Sequence, residues 1–179
     1  MKPIPHLVLA TTLPVLVALP AMAQVTSNGF VVKHVIAINA TPAKVYEALI
    51  GQVGLWWNPD HTFSHDSKNL SMDARPGGCF CERLPNGGGV EHLRVIYAAP
   101  GEMLRMSGAL GPLQASGIAG SLTWKLTSAR GGTSVELSYV VGGYMDGGFQ
   151  SIAPAVKAIP PRGSLDRTTD RARRASRGG

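Results

Sequence analysis

The chain has 179 residues, 44% of them hydrophobic and 16% charged, which is one domain's worth with enough apolar mass for a core. Its net charge of +6 is concentrated at one end: residues 162–179 hold six arginines against two aspartates, while residues 24–161 carry ten basic and nine acidic side chains. A nearly neutral body lacks the basic face that phosphate backbones require, which excludes nucleic acid as the partner.

In chain order, Lys2 gives a positive start, Leu7 to Leu19 is an apolar run, and Ala21-Met22-Ala23 is a small-x-small cleavage site. That order predicts a secretory signal over 1–23, with the mature chain starting at Gln24 in the periplasm or outside the cell, because the run is too short for a membrane span. "FVVKHVIAINA" (30–40) alternates and predicts a strand with Val32, His34, Ile36 and Ile38 on one side. "TPAKVYEALIG" predicts a helix, with Thr41 as cap, Pro42 in the first turn, Gly51 at the end and Val45, Ala48 and Leu49 as the buried stripe.

The segment "GLWWNPDHTFSH" (54–65) poses two alternatives. It is either a polar site built on Asp60, His61 and His65, or an apolar cover built on Trp56 and Trp57. His61 and His65 stand four apart, a metal-holding spacing on a helix, but Pro59 marks the stretch as loop. Turn and surface roles are therefore expected for them, and neither a metal nor a cofactor is.

"CFCERL" (79–84) predicts a strand in which Cys79 and Cys81 share a side. A disulfide between such near neighbours reads as strained. Buried free thiols are the expectation, with a ligand-facing pair as the alternative. After the turn "PNGGG" (85–89), "VEHLRVIYAAP" predicts a strand with Leu93, Val95 and Tyr97 inward, which turns His92 outward. Glu82 and His92 form the best acid–base pair in the chain, as weak catalytic candidates, yet this parity leaves them as a solvent-face ion pair of little energetic worth.

"EMLRMSG" predicts a shorter strand, and "GPLQASGIAG" a glycine-rich loop with no nucleotide-binding pattern. Two further runs alternate cleanly, with Leu122, Trp124 and Leu126, then Val135, Leu137, Tyr139 and Val141, facing inward across a hairpin. Phe149, Ile152, Val156 and Ile159 lie at helical spacing and predict a terminal helix stopped by Pro160-Pro161. The expected fold is α+β: a curved antiparallel sheet of about seven strands packed on a C-terminal helix, with two short helices between strands 1 and 2.

Trp56, Trp57 and Pro59 in a "WW-x-P" segment, and Gly77, Gly78 and Phe80 in a "GG-x-F" strand, carry a resemblance to the SRPBCC superfamily, also called START-like or helix-grip. Within it the chain resembles the branch of the activators of heat-shock-protein ATPase and the polyketide cyclase-like proteins, over about residues 30 to 159. The resemblance implies a domain over 24–159 with a cavity between the sheet and the terminal helix, and a ligand of apolar or lipid-like character. It implies no shared catalytic set. Trp56, Trp57, Phe80, Cys81, Met106, Trp124 and Tyr139 are the expected lining, with His34 as a polar anchor. A monomeric, exported, non-enzymatic binding domain is the leading expectation. A cyclase- or hydratase-like enzyme using Glu82 and His92, and a protein-interaction or stress-related module, are the alternatives. The chain departs from the family where a long closing helix is usual: residues 160–179 form an arginine-rich tail with one large apolar residue, Leu165. Two accounts fit it, a shifted reading frame and a disordered basic tail that touches anionic surfaces.

Overall fold

The computed structural model describes residues 22–152. The expected signal segment up to residue 21, the basic tail and most of the expected terminal helix lie outside the described residues.

The core element is an antiparallel sheet of eight strands: β1 (Met22–Val25), β2 (Gly29–Ile38), β3 (Leu70–Met72), β4 (Cys79–Arg83), β5 (Gly89–Ala99), β6 (Met103–Gly108), β7 (Gly117–Ala129) and β8 (Gly132–Tyr144). Their order across the sheet is β1-β2-β8-β7-β6-β5-β4-β3. Strands β4 to β8 are joined in sequence as neighbours, while β2 crosses over to pair along its full length with β8. The eighth strand beyond expectation is β1, a short edge paired to β2. The expected cleavage point between Ala23 and Gln24 falls inside it.

Helix α1 (Pro42–Gly51) forms where expected. Proline suits its first turn, and the Gln52 N–H bonds back to the Ala48 carbonyl to close it. Thr41 occupies the cap position but its side chain makes no cap bond. Val45, Ala48 and Leu49 are buried, and Tyr46 joins them. A one-turn helix α2 (Val53–Trp56) and two 3-10 turns (Pro59–His61 and Ser67–Asn69) lead back to β3. This α+β architecture places α1, α2 and the tryptophan segment on one face of the sheet. That face carries the buried set Phe30, Val32, Leu93, Val95, Leu104, Met106, Leu122, Trp124, Leu137 and Tyr139. Burial of this continuous apolar face is what stabilises the layers, at about 25 cal/mol per Å² removed from water.

Three expectations are corrected by the sheet. First, residues 117–120 are not loop but the start of β7, paired with β8 from Gly117↔Tyr144 onward. A Cβ at Gly120 would stand 2.5 Å from the Val140 carbonyl oxygen, so the close approach of the two strands requires glycine there. Second, β5 holds two bulges. Cys81 pairs with Glu91 and Phe80 with Leu93, which leaves His92 as an extra residue; Val95 pairs with Met106 and Tyr97 with Arg105, which leaves Ile96 as another. Simple alternation fails on both counts. His92 turns inward beside Leu93, and Tyr97 turns outward to lie 6.0 Å beneath the Arg105 guanidinium.

Third, Cys79 and Cys81 are joined in a disulfide with Cα atoms 5.4 Å apart, so they are neither free thiols nor a ligand-facing pair. Within β4, Phe80 and Glu82 are buried while both cysteines are half-buried on the opposite face. Their 5.4 Å spacing is shorter than the about 6.6 Å of two extended residues, and the register of β4 against β5 breaks between Phe80 and Cys81, within the bridged stretch. We expect Ellman's reagent to find no free thiol in protein unfolded without reductant, and two after reduction.

The terminal element opens as a 3-10 turn, Phe149–Ile152, with Phe149 buried against Phe30 at 6.1 Å between ring centroids.

Candidate functional site

The aromatic residues of the tryptophan segment do not stand apart from the sheet. Trp56 packs edge-on against Trp124 of β7 at 5.5 Å and against Trp57 at 5.6 Å. Trp57 meets Phe80 of β4 at 5.0 Å, Phe80 meets His92 at 5.3 Å, and Phe63 stacks on His92 at 6.1 Å with rings 19° from parallel. A continuous aromatic row therefore crosses from β7 to β4 and out to the loop. Trp56 is fixed as core: it is buried, and its indole N–H donates to the Leu49 carbonyl at 3.2 Å, tying the segment to the end of α1. Trp57 is half-buried and donates to the His61 carbonyl at 3.1 Å.

At the end of this row lies a buried polar pair. Glu82 is 2% exposed and His92 3% exposed. The His92 Nε2 stands 2.9 Å from one Glu82 oxygen. The backbone N–H of Phe63 donates to that same oxygen at 3.1 Å, and the N–H of Ser64 donates to the other at 2.6 Å. The solvent-face ion pair expected from parity is thus overturned, because the bulge at His92 rotates the imidazole onto the face where Glu82 already points. Burial works to raise the Glu82 pKa, but the hydrogen bonds from Ser64, Phe63 and His92 outweigh it and hold the carboxyl below its ordinary 4.5.

Two buried side-chain atoms have no hydrogen-bond partner among the described residues: Nδ1 of His92 and Nε1 of Trp124. Both belong to the aromatic row. An unpaired buried polar group costs about 1–3 kcal/mol, and interiors built only for packing rarely keep one.

The remaining expected residues divide. Met106 and Phe80 are buried on the same face as the row. Tyr139 is buried there too, but its hydroxyl is engaged, accepting from the Leu110 N–H at 3.1 Å and donating to the Gly108 carbonyl at 3.2 Å. Burial pushes its pKa up to about 12, against the opposing Leu110 bond. That hydroxyl holds the glycine-rich turn at Gly111–Ala115 against the sheet. His34 is buried on β2 opposite Leu137, with β8, β7 and β6 between its strand and the strand of His92, so the structure does not bring it to the pair. Cys81 faces away from the row. His61 and His65 are exposed, and Asp60 and Asp66 sit in the turns, where Asp66 accepts from the Lys68 N–H. No group of three metal-ligating side chains is assembled among the described residues.

Phe63 was not singled out from the sequence. Its signal was an isolated aromatic ring in the polar run "HTFSH". It is 48% exposed although it covers a buried histidine. Replacing it with alanine is expected to open the imidazole: carbethoxylation of His92 by diethyl pyrocarbonate, slow beside that of His61 and His65 in the wild type, should rise severalfold in Phe63→Ala. An unchanged His92 rate would show that Phe63 does not gate it.

No helix of the described residues is long and apolar enough to cross a membrane. No family model matches the chain, and no curated protein matches it either. Similar solved structures include a protein from Rhizobium leguminosarum, 17% identical, which aligns over 86% of this chain and 99% of that one with a TM-score of 0.53. Another is DynU16, a protein of the dynemicin biosynthetic locus, at 19% identity, 79% of this chain, 48% of that one and a TM-score of 0.52. This chain spans about half the length of DynU16. The Aha1 dimer from Colwellia psychrerythraea aligns at 19% identity over 70% of this chain and 84% of that one, and its TM-score of 0.49 is too loose to argue from. The first two likenesses speak to fold alone.

Proposed function

We propose that this chain is an exported small-molecule-binding protein of the START-like, helix-grip type, whose ligand is apolar or amphipathic and rests against the aromatic row. One observation carries the reading: the row from Trp124 to Phe63 is mostly aromatic yet holds two buried polar atoms without partners among the described residues. Such a surface, mostly aromatic with a few convergent polar groups, is the usual composition of a ligand site. The likeness in fold to DynU16 supports it. The helix-grip closure is supported by Phe149 and Ile152, which pack on the core where the closing element begins. Export is supported by the order of the first 23 residues and by the Cys79–Cys81 disulfide, since disulfides persist in oxidising compartments.

Native mass spectrometry of protein purified from the periplasm, followed by thermal shift across a panel of lipids and aromatic compounds, tests the reading. A co-purified ligand or a clear rise in Tm supports it. Ligand-free protein with no shift across the panel sinks it.

A second reading is favoured by the burial of both Glu82 and His92. A carboxylate that orients an imidazole whose other nitrogen is free is the arrangement of a general base. Such an enzyme would exchange the α-protons of an enolisable aryl ketone in D2O, and would stop doing so in Glu82→Gln. Absence of exchange above the buffer rate counts against it.

A further inference from the structure

We propose that the unpaired Nδ1 of His92 is the polar anchor of the site and takes a hydrogen bond from a ligand hydroxyl, so that the ligand is a planar, mostly apolar molecule carrying an OH donor. This rests on the binding function proposed above and names the chemistry of its ligand.

The tautomer follows from the partners of Glu82. Both carboxylate oxygens accept from loop amides, Phe63 to one and Ser64 to the other. An ionised carboxylate can only accept, so the 2.9 Å contact with His92 requires the proton on Nε2. A neutral imidazole carries one proton. Its Nδ1 is then left with a lone pair, buried and without a partner among the described residues. A second proton on the ring would instead put an N–H donor, with no acceptor among the described residues, where that lone pair stands.

The surroundings define what can reach that lone pair. The imidazole lies between Phe63, nearly parallel at 6.1 Å, and Phe80, tilted at 5.3 Å, with Trp57 next along the row. A strongly hydrated or charged group would lose its water between these rings with nothing to replace it. An aromatic alcohol or phenol would keep its ring against theirs and bring one donor to Nδ1. The bulge that turns His92 inward is the backbone device for this aim, since bulges re-direct a single side chain at a local cost in pairing. Pinning the loop does not explain the free nitrogen: Glu82 does that with two amides, and the ring needs only Nε2 for it.

The test uses 2-naphthol and its methyl ether, 2-methoxynaphthalene, on the full mature chain. In the ligand-free wild type, nitrogen-15 NMR should show His92 Nε2 as protonated and Nδ1 as unprotonated. 2-Naphthol should shift the Nδ1 resonance and bind about tenfold more tightly than the ether, near the upper end of one hydrogen bond's net worth. The substitution His92→Gln keeps an amide donor for Glu82 but replaces the Nδ1 acceptor with an amide oxygen displaced from the ring position, and should narrow the gap between the two affinities. A proton on Nδ1 in the free protein, or equal wild-type affinity for both probes, overturns the assignment while leaving the binding function standing. Binding of neither probe, with the tautomer as stated, overturns this assignment, while the binding function stands or falls on the lipid and aromatic panel. Should His92→Gln fail to fold, the wild-type tautomer and the ratio of its two affinities decide.

Discussion

Glu82→Ala is expected to lose roughly 3–5 kcal/mol of folding stability, read as a lower midpoint in urea, because removing one partner of a buried polar pair strands the other. Three donors lose their acceptor at once: the Phe63 and Ser64 amides and the His92 Nε2. Against the 5–15 kcal/mol that holds a typical domain together, that loss is large enough to lower the folded population visibly. Glu82→Gln keeps the volume and some acceptor capacity but brings an amide N–H₂ against donors, and should lose about 1–3 kcal/mol. The pH dependence carries a sign. The carboxyl is held below its ordinary 4.5 in the folded state, so its contribution is fully present above that value and is lost as pH falls through the lower folded-state value. Wild-type stability should fall in that acid window, and Glu82→Gln should lack this component. A Glu82→Ala midpoint within about 0.5 kcal/mol of wild type, the ordinary range of surface substitutions, would show that the loop is held by other means.

The second large effect is expected at Trp56. Trp56→Ala should cost about 3–5 kcal/mol, the range for emptying an aromatic-sized core position. Trp56 is buried between Trp124 and Trp57, and its N–H is the bond that ties the segment to Leu49 at the end of α1. Trp56→Phe keeps most of the ring contact, forfeits that bond and leaves a smaller gap, so a loss nearer 1–2 kcal/mol is expected. Urea unfolding of the two variants separates packing from hydrogen bonding. Equal losses would mean that the Leu49 bond, and not the ring, is what matters there. Trp57, only half-buried, should tolerate alanine better than Trp56 does, and under the proposed function it is the tryptophan that would meet a ligand.

Much of the fold was legible in the residues. Alternation in β2, β7 and β8 placed Val32, His34, Ile36, Leu122, Trp124, Leu137 and Tyr139 on one face, and the structure buries all of them but Ile36, which is half-buried. Proline and glycine bounded α1 to the residue. The paired tryptophans were recognisable as apolar mass rather than as part of a polar site. These features were readable because each depends on neighbours within a few positions: a pleat of period two, a helix start, a turn.

The candidate site was named in part and placed wrongly. Glu82 and His92 were found as a pair across the "PNGGG" turn, but strict alternation along β5 put His92 outside. A bulge has no residue signature of its own, and one extra residue puts its two sides out of step, so a parity set by Leu93 and Val95 misplaces His92 before them. The same kind of shift at Ile96 moved Tyr97 out of the core. The Cys79–Cys81 bridge, set aside as strained in favour of free thiols, is formed on the face of β4 away from Phe80. Composition, periodicity and punctuation, by themselves, determined most of the strands, the first helix and the aromatic inventory of this protein, since those are local consequences of side-chain shape and hydropathy. Only the tertiary structure decided that Phe63 lies over His92, that two loop amides claim Glu82, and that one imidazole nitrogen is left over, because each of those depends on how β5 pairs with β4 and how a loop 18 to 19 residues upstream folds back onto them.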